Sequence, residues 1–286
     1  MTCYNREDYV SEAIESVLAS TYSNFELIIV DDCSTDKTVE IVKDYEKSDS
    51  RIKVYQNEVN LGDYPNRIRA ASYANGKYLK YLDSDDIIYP HGLAVMVDAV
   101  DQCQGLCFGL SAMASEEAPF PIFLTPNQSY KTHFYGKSDL FGRAPGSAII
   151  LTSLFRQVGG FSGKKNVGDH ELWLALAKYG TLVLFPRDLM WSRTHADQQR
   201  SFGLNNKALI MFRHHEIDIT ALSHDDCPLS SVEVSQVQDN LRMKHADYFF
   251  KQVRRVKNWK IARVVYKKMG LSVVDLVKSI VKKFKG

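Results

Sequence analysis

The fold class follows from one stretch, FELIIVDD at residues 25–32, in which a mostly apolar run passes directly into two carboxylates. A continuous apolar run of this length is typical of a strand that is buried on both faces, as in a parallel sheet. Apolar residues recur at helical spacing on both sides of it, in residues 7–20 and again between Val39 and Tyr45. This alternation predicts an α/β fold in which crossover helices join parallel strands.

The alternation of strand and helix continues along the first two thirds of the chain. Residues 115–146 are rich in proline and glycine, which predicts a long irregular loop. Beyond residue 204 the pattern is helical, so we expect an α/β domain over residues 1–203 and a helical extension over residues 204–286. The further predicted elements are strands at 52–56, 77–82, 106–113 and 147–151, and helices at 65–75, 91–103 and 169–179.

The composition is that of a globular protein. Hydrophobic residues make up 45% and charged residues 24% of the 286 residues, which excludes collagen, low-complexity disorder and a small disulfide scaffold. The five cysteines are scattered without zinc-ligand spacing, which favours a reducing compartment. No signal-peptide core and no apolar run of about 18 residues is present in the sequence, so we expect a cytoplasmic protein.

The net charge of +2 conceals a strong asymmetry. From Lys251 onward twelve basic residues face one acid, Asp275, so this segment carries +11 and the preceding residues carry −9. Apolar residues from 271 to 284 recur as one helical stripe among lysines, which predicts a basic amphipathic helix on an anionic membrane at its inner face. Docking on the chain's own body or on a second subunit is the alternative. Nucleic acid is disfavoured, because phosphate binding does not require the aliphatic stripe.

Acidic residues follow two predicted strands. Asp31 and Asp32 end the first strand, and the sequence DSDD at residues 83–86 ends the strand at 77–82. Ligands of open α/β sheets bind outside the carboxyl ends of the strands, and carboxylate oxygens suit Mg²⁺ or Mn²⁺. The pattern therefore predicts a cation that holds an anionic substrate. The alternative is that these acids only end strands and cap helices.

Several motifs together resemble glycosyltransferase family 2. They are YNR at 4–6, VDDCSTD at 30–36, Asn60-x-Gly62, LDSDD at 82–86, VGGF at 158–161, GDHELWL at 168–174 and RTH at 193–195. The resemblance extends over about residues 2–202. It implies a GT-A fold, which is a Rossmann-like α/β domain, and an inverting transfer from a nucleoside diphosphate sugar that usually requires a divalent metal.

The resemblance also implies roles for individual residues. Asp169 would be the catalytic base, and Mn²⁺ or Mg²⁺ would be held by Asp83, Asp85 and His195. The residues that would bind the nucleotide sugar are Thr2, Tyr4, Asp31, Asp32, Arg67, Asp83, Asp85 and Arg193.

The predicted function is the transfer of a sugar, most simply from a UDP-sugar, to a hydroxyl of a glycan or a lipid-linked acceptor. A non-catalytic nucleotide-sugar-binding regulator of a glycan-assembly partner is the alternative. A nucleotidyltransferase is disfavoured because residues 1–12 contain no glycine for a phosphate loop. Two departures from the family stand out. Gly168 replaces an acid, and Met1 stands where the family's first apolar strand ends, which predicts a sheet without that inner strand, from a truncated start.

Overall fold

The computed structural model describes residues 1–113, 118–136, 140–194, 207–254 and 259–285. It divides into two compact units, the first formed by Met1–His133 with Ser138–Ala196 and the second by Phe134–Lys137 with Asp197–Gly286. The strands are β1 (Thr2–Cys3), β2 (Leu27–Asp31), β3 (Ile52–Gln56), β4 (Tyr78–Leu79), β5 (Ile87–Ile88), β6 (Cys107–Ala112), β7 (Ile122–Leu124), β8 (Ala148–Leu151), β9 (Thr181–Pro186) and β10 (Met190–Trp191). The helices are α1 (Val10–Leu18), α2 (Thr38–Ser48), α3 (Asp63–Tyr73), α4 (Gly92–Asp101), α5 (Pro126–Tyr135), α6 (Thr152–Gln157), α7 (Gly168–Tyr179), α8 (Lys207–Leu222), α9 (Ser231–Arg254), α10 (Trp259–Lys268) and α11 (Val273–Lys285).

The strands of the first unit form a mixed α/β architecture. One sheet has the order β1-β2-β3 with parallel pairing, and a second has the order β4-β8-β6-β9-β7, in which β6 and β9 are parallel. Strands β5 and β10 form an antiparallel ribbon. A parallel bridge between Thr2 and Asp83 connects the two larger sheets. The α/β fold with a mixed sheet and flanking helices is confirmed.

Strand β2 lies at the centre of its sheet, and all five of its residues are buried. Its side chains alternate between two helical layers, because successive residues of a strand point to opposite faces. Leu27 and Ile29 share a core with the apolar face of α1, whereas Ile28 and Val30 pack against Ala70 of α3. The two-sided burial explains why the strand is apolar throughout and why its carboxylates begin only at Asp31.

One expectation about the first unit is corrected. Residues 115–146 do not form one irregular loop, because β7 and α5 lie within them. Pro126 occupies the first position of α5, where its fixed φ favours a helix, and Tyr130 is fully buried with its hydroxyl donating to the Leu174 carbonyl at 3.1 Å. At the inner position of the sheet, Thr2 and Cys3 form a strand of only two residues, which pairs in parallel with Val30 and Asp31, so the predicted truncation of this strand stays a prediction.

The second unit is helical, as the periodicity predicted, over its described part. Its core is formed by Phe212, Ala246, Val265, Met269 and Leu271, which come from α8, α9, α10 and the turn before α11. The predicted domain boundary at residues 203 and 204 lies outside the described residues, so it stays a prediction. Among the helices that the structure describes, none has an apolar stretch long enough to cross a membrane.

Candidate active site

Two loops at the carboxyl ends of β1 and β2 are locked together by hydrogen bonds. The Asn5 amide donates to Ser34 Oγ at 2.9 Å, and Asn5 Oδ1 accepts from the Thr35 amide at 2.8 Å. The Arg6 amide donates to Thr38 Oγ1 at 2.7 Å. Asn5 adopts a positive φ of 51°, which asparagine tolerates better than most residues. The loop after β1 therefore has a defined position beside the helix α2.

Asp31 and Asp32 organise the loops around them. Asp31 Oδ1 accepts from the Ser34 amide at 2.9 Å, and its Oδ2 pairs closely with the Ser34 hydroxyl. Asp32 Oδ1 accepts from Asn57 Nδ2 at 2.7 Å and from the Leu61 amide at 2.8 Å, while its Oδ2 accepts from the Gly62 amide at 2.8 Å. Both carboxylates are buried. Asp32 therefore fixes the turn that leads into α3.

Three carboxylates converge beyond β4. Asp83, Asp85 and Asp86 each bring an oxygen within 4.8 Å of the others. Two arginines balance this charge: Arg67 Nη2 lies 2.6 Å from Asp83 Oδ1, and Arg6 Nε lies 3.1 Å from Asp85 Oδ2. Three hard oxygen donors at this separation suit a Mg²⁺ or Mn²⁺ ion, so the residues fit the cation that the sequence pattern predicts.

Asp86 and Arg193 tie the acidic cluster to the segment after β10. Asp86 Oδ1 accepts from the Arg193 amide at 3.1 Å, and its Oδ2 accepts from Ser192 Oγ at 3.2 Å. Burial, reinforced by Asp83 and Asp85, raises the pKa of Asp86 to about 6. Arg193 Nε donates to the Asp85 carbonyl at 3.2 Å, and its guanidinium pairs with Glu12.

Arg67 is a buried cation held between two acids. Its Nε lies 2.7 Å from Asp63 Oδ1, one helical turn earlier on α3, in addition to its contact with Asp83. Burial acts to lower the pKa of Arg67, but Asp83 and Asp63 outweigh burial and raise the pKa. The guanidinium also lies 5.8 Å from the centre of the Tyr81 ring. Arg67 is therefore charged and fixed in place.

Asp169 lies in the first turn of α7. Its Oδ1 accepts from the His170 amide at 2.8 Å, and its own amide donates to the hydroxyl of Tyr64 at 3.3 Å. Burial raises the pKa of Asp169. Val167 occupies the N-cap position of α7 without a side-chain cap.

Gly168 is explained by the neighbouring aromatic ring. A Cβ on Gly168 would meet carbon atoms of the Tyr64 ring at 3.0 to 3.1 Å, which is closer than side chains normally approach. Tyr64 is itself buried and lies 5.1 Å from the ring of Phe161. The ring thus occupies the space that the family's usual acid would need.

The structure brings the predicted residues together in part. The backbone of Thr2 forms a parallel β-bridge with Asp83, and Arg67 forms an ion pair with the same residue. Arg193 donates a hydrogen bond to the carbonyl of Asp85. Asp31 and Asp32 lie at the end of β2, and Tyr4 is exposed in the loop after β1. His195 lies outside the described residues. The assigned ligand and catalytic roles stay predictions.

Sequence reasoning missed two contributors to this site. Arg6 pairs with Asp85 of the acidic cluster. Tyr64 lies three residues before Arg67 on α3, at a spacing that places both on one face of the helix. That spacing was the available signal for Tyr64.

The family model described as Glycosyl transferase family 2 matches residues 1–159, more than half of the chain. This chain therefore belongs to glycosyltransferase family 2. Among related sequences, it is 32% identical over 182 residues to TuaG of Bacillus subtilis, which is named as a teichuronic acid biosynthesis glycosyltransferase. That match covers 62% of this chain and 70% of TuaG.

A second relative is WfgD of Escherichia coli, named as a UDP-Glc:alpha-D-GlcNAc-diphosphoundecaprenol beta-1,3-glucosyltransferase. It is 43% identical over 97 residues, which cover 34% of this chain and 38% of WfgD. This chain thus matches well under half of the length of WfgD.

Solved structures confirm the GT-A fold. TarS of S. aureus in complex with UDP-GlcNAc superposes with a TM-score of 0.66 at 20% identity, covering 94% of this chain and 78% of TarS. The mannosyltransferase PcManGT of Pyrobaculum calidifontis, in complex with GDP-Man and Mn²⁺, has a TM-score of 0.60 at 14% identity. That superposition covers 99% of this chain and 86% of PcManGT.

Proposed function

We propose that this chain is an inverting glycosyltransferase that moves a sugar from a UDP-sugar to a hydroxyl of a glycan or a lipid-linked acceptor. One observation carries the proposal: helix α3 places Arg67 against Asp83 and Tyr64 against Asp169. Tyr64 and Arg67 are one helical turn apart on α3. The candidate base Asp169 and Asp83 of the acidic cluster therefore contact the same turn of this helix. UDP-GlcNAc in TarS and UDP-Glc in the name of WfgD support a uridine donor.

The acidic cluster is the proposed site of a Mn²⁺ or Mg²⁺ ion held by Asp83 and Asp85, with Asp86 beside them. When bound, such an ion supplies positive charge to the diphosphate on which negative charge develops. Arg193 lies against the same cluster and would place a positive charge beside the diphosphate. Thr2, Tyr4, Asp31 and Asp32 would border the nucleoside at the ends of β1 and β2.

Asp169 is the proposed base that removes the proton of the acceptor hydroxyl. Its burial favours the protonated form and so strengthens its carboxylate as a proton acceptor. A single carboxylate suffices, because inversion follows from one direct displacement at the sugar carbon.

The substitution Asp169→Asn tests this assignment. Asparagine keeps a carbonyl oxygen for the His170 amide but does not take up a proton at neutral pH, so transfer should fall at least about a hundredfold while the melting temperature and UDP binding stay near the parent's. Glu171→Gln is the matched control, because Glu171 lies in the same turn but pairs with Lys164 at 2.6 Å. Parental transfer by Asp169→Asn would show that the base lies elsewhere.

A chelator tests the cation. Calorimetry with UDP should show that EDTA weakens binding at least about tenfold and that Mn²⁺ or Mg²⁺ restores it, since the diphosphate would otherwise face three carboxylates. In the variant Asp85→Asn, Mn²⁺ or Mg²⁺ added after EDTA should restore little of the affinity for UDP. Equal UDP affinity with and without chelator would contradict the proposed cation site.

We also propose that the C-terminal helices hold the protein at the inner face of an anionic membrane. Four valines of α11 are exposed on one side, namely Val273, Val274, Val277 and Val281. Lys278 on α11 and Arg263, Lys267 and Lys268 on α10 are exposed as well. Apolar side chains flanked by cations suit the headgroup region of an anionic bilayer.

A further inference from the structure

The loop of residues 140–147, which leads into β8, is anchored at several points in the first unit. Phe141 is fully buried ahead of Arg143, and Pro145 is buried after it. Between them, the Arg143 carbonyl accepts a hydrogen bond from Trp173 Nε1 at 2.7 Å. We call this segment the β8 loop. Because the chain is anchored before, at and after Arg143, the backbone that carries this side chain is fixed within the first unit.

The β8 loop lies beside the first turn of α7, which carries the candidate base Asp169. Trp173 follows Asp169 by one helical turn, and helical side chains lean towards the N-terminus, so its indole reaches back towards the turn of Asp169. A second line of contacts leads to the same turn. The ring of Phe141 lies 4.6 Å from the ring of His133, and that ring lies 5.3 Å from the ring of His170. The β8 loop and the candidate base are therefore neighbours.

The side chain of Arg143 is a cation without a counter-charge among the residues that the structure describes. Its Nε is buried and has no hydrogen-bond partner there. Its terminal nitrogens make no ion pair or hydrogen bond with a described residue either. Arg6 and Arg67, by contrast, are each paired with a carboxylate of the acidic cluster. The fold thus places a positive charge near the candidate base and leaves it uncompensated.

The exposed end of Arg143 has the geometry of an anion contact. A buried N–H group without an acceptor is rare in folded proteins, and a charge withdrawn from water is costly unless it is paired. Because Arg143 is half-buried with its Nε inside, its terminal Nη1 and Nη2 are the part that reaches solvent. These two nitrogens present parallel N–H groups of the kind that pair with two oxygens of a phosphate. An anion at this position would supply the missing counter-charge.

The place of Arg143 selects the acceptor rather than the donor as the source of that anion. In a direct displacement the attacking hydroxyl and the leaving diphosphate lie on opposite faces of the sugar carbon, and the base stands beside the hydroxyl. In the proposed function the leaving diphosphate lies at the acidic cluster, beside Arg193. A negative group next to Asp169 therefore belongs to the acceptor.

We propose that Arg143 binds a phosphate of the acceptor, so that the acceptor is a phosphate-linked sugar, as on a lipid diphosphate, rather than a neutral glycan. The inference rests on the proposed function, because the candidate base defines the acceptor side. Arg143 takes no part in the proton transfer; it holds the acceptor so that its hydroxyl faces Asp169. A neutral glycan would leave the guanidinium without a partner, and this difference would discriminate between the two classes of acceptor.

The test measures the binding of farnesyl diphosphate, which carries a lipid-linked diphosphate without a sugar, by calorimetry on the full chain. UDP and Mg²⁺ are present at saturation, so that the donor side is occupied. Farnesol, the same lipid without phosphate, measures the contribution of the apolar tail. The variant is Arg143→Gln, and the matched control is Arg69→Gln, since Arg69 is an exposed arginine of α3. A separate titration with UDP alone tests the donor side.

We expect Arg143→Gln to weaken the binding of farnesyl diphosphate at least about tenfold, because charge-assisted hydrogen bonds are lost, while Arg69→Gln binds as the parent does. The binding of farnesol, the binding of UDP and the melting temperature should stay near the parent's in both variants.

Equal affinity of the two variants for farnesyl diphosphate would overturn the proposal, and so would displacement of farnesyl diphosphate by an equal concentration of inorganic phosphate. A parallel loss of UDP affinity in Arg143→Gln would place the residue on the donor side instead. Failure of the parent to bind UDP would contradict the proposed function and not the phosphate contact, which the titration with farnesyl diphosphate decides by itself.

Discussion

At the scale of single residues, the acidic site depends on arginines placed between carboxylates. Arg67 contacts Asp63 and Asp83 through different nitrogens of one guanidinium, a geometry that the point charge of lysine does not reproduce. Arg6 likewise forms an ion pair with Asp85. These cations lower the repulsion among the three acids of the cluster.

Arg67→Met is expected to lower the free energy of unfolding by about 2 kcal/mol, because it removes both ion pairs of a buried guanidinium and leaves the half-buried carboxylates of Asp63 and Asp83 without their cation. The matched control is Arg69→Met, since Arg69 is exposed on the same helix and should change stability by less than about 0.5 kcal/mol. Chemical denaturation of both variants measures the difference. Equal stability of the two variants would mean that the Arg67 ion pairs do not stabilise the fold.

At the scale of elements, α11 has one buried face and one exposed face. Ser279 is buried and donates to Asp247 Oδ1 of α9 at 2.6 Å, and Ser272 donates to Asp275 Oδ2 at the start of the helix. Through Ser279 this face of α11 packs against α9 within the second unit. The sequence predicted one apolar stripe over residues 271–284. In the structure Leu271 lies in the core of the second unit, whereas the four valines are exposed.

Replacing Val273, Val277 and Val281 together by serine should reduce binding to phosphatidylglycerol vesicles at least about tenfold, because each buried valine contributes about 1.5 kcal/mol or more. The melting temperature should change little, since these side chains are exposed. Val232→Ser is the control, as Val232 is 66% exposed at the start of α9. Cosedimentation measures binding, and unchanged binding by the triple variant would rule out the valine face as the contact.

At the scale of the whole molecule, buried basic groups make folding sensitive to acid. Burial lowers the pKa of His245 from 6.5 to about 4. The ring of His215 lies 4.5 Å from that of His245, and burial lowers its pKa too. Both groups are more easily protonated when unfolded, so their contribution to stability is present above the unfolded pKa and is lost as the pH falls.

We therefore expect the free energy of unfolding to decline between pH 6.5 and pH 4, with His245 contributing on the order of 2 kcal/mol over that range. His245→Leu should flatten the decline between pH 6.5 and pH 4, because the variant has no imidazole to protonate there. His91→Gln, a change to an exposed histidine of the first unit, should leave the decline unchanged. Chemical denaturation of both variants at a series of pH values measures how the free energy of unfolding declines. If this free energy declined equally in both variants, the assignment to His245 would be contradicted.

Local pattern was sufficient for much of the fold. The apolar stretch of β2, the amphipathic face of α1 and the acids after β2 and β4 were predictable, because side-chain periodicity reports burial directly. The segment 115–146 was not, since its prolines and glycines suggested a loop. The segment nevertheless forms the helix α5, because Tyr130 is buried and because Pro126 is compatible with the first position of a helix.

The sequence by itself therefore determined the class of fold, the family and the position of the acidic motifs, all of which depend on residues close together in the chain. Only the tertiary structure decided which distant residues meet: Arg6 with Asp85, 79 residues apart, and Tyr64 with the amide of Asp169, 105 residues apart. It also decided that α11 has one face buried against α9 and one face exposed. Such contacts arise from the packing of whole elements, and no local periodicity encodes their partners.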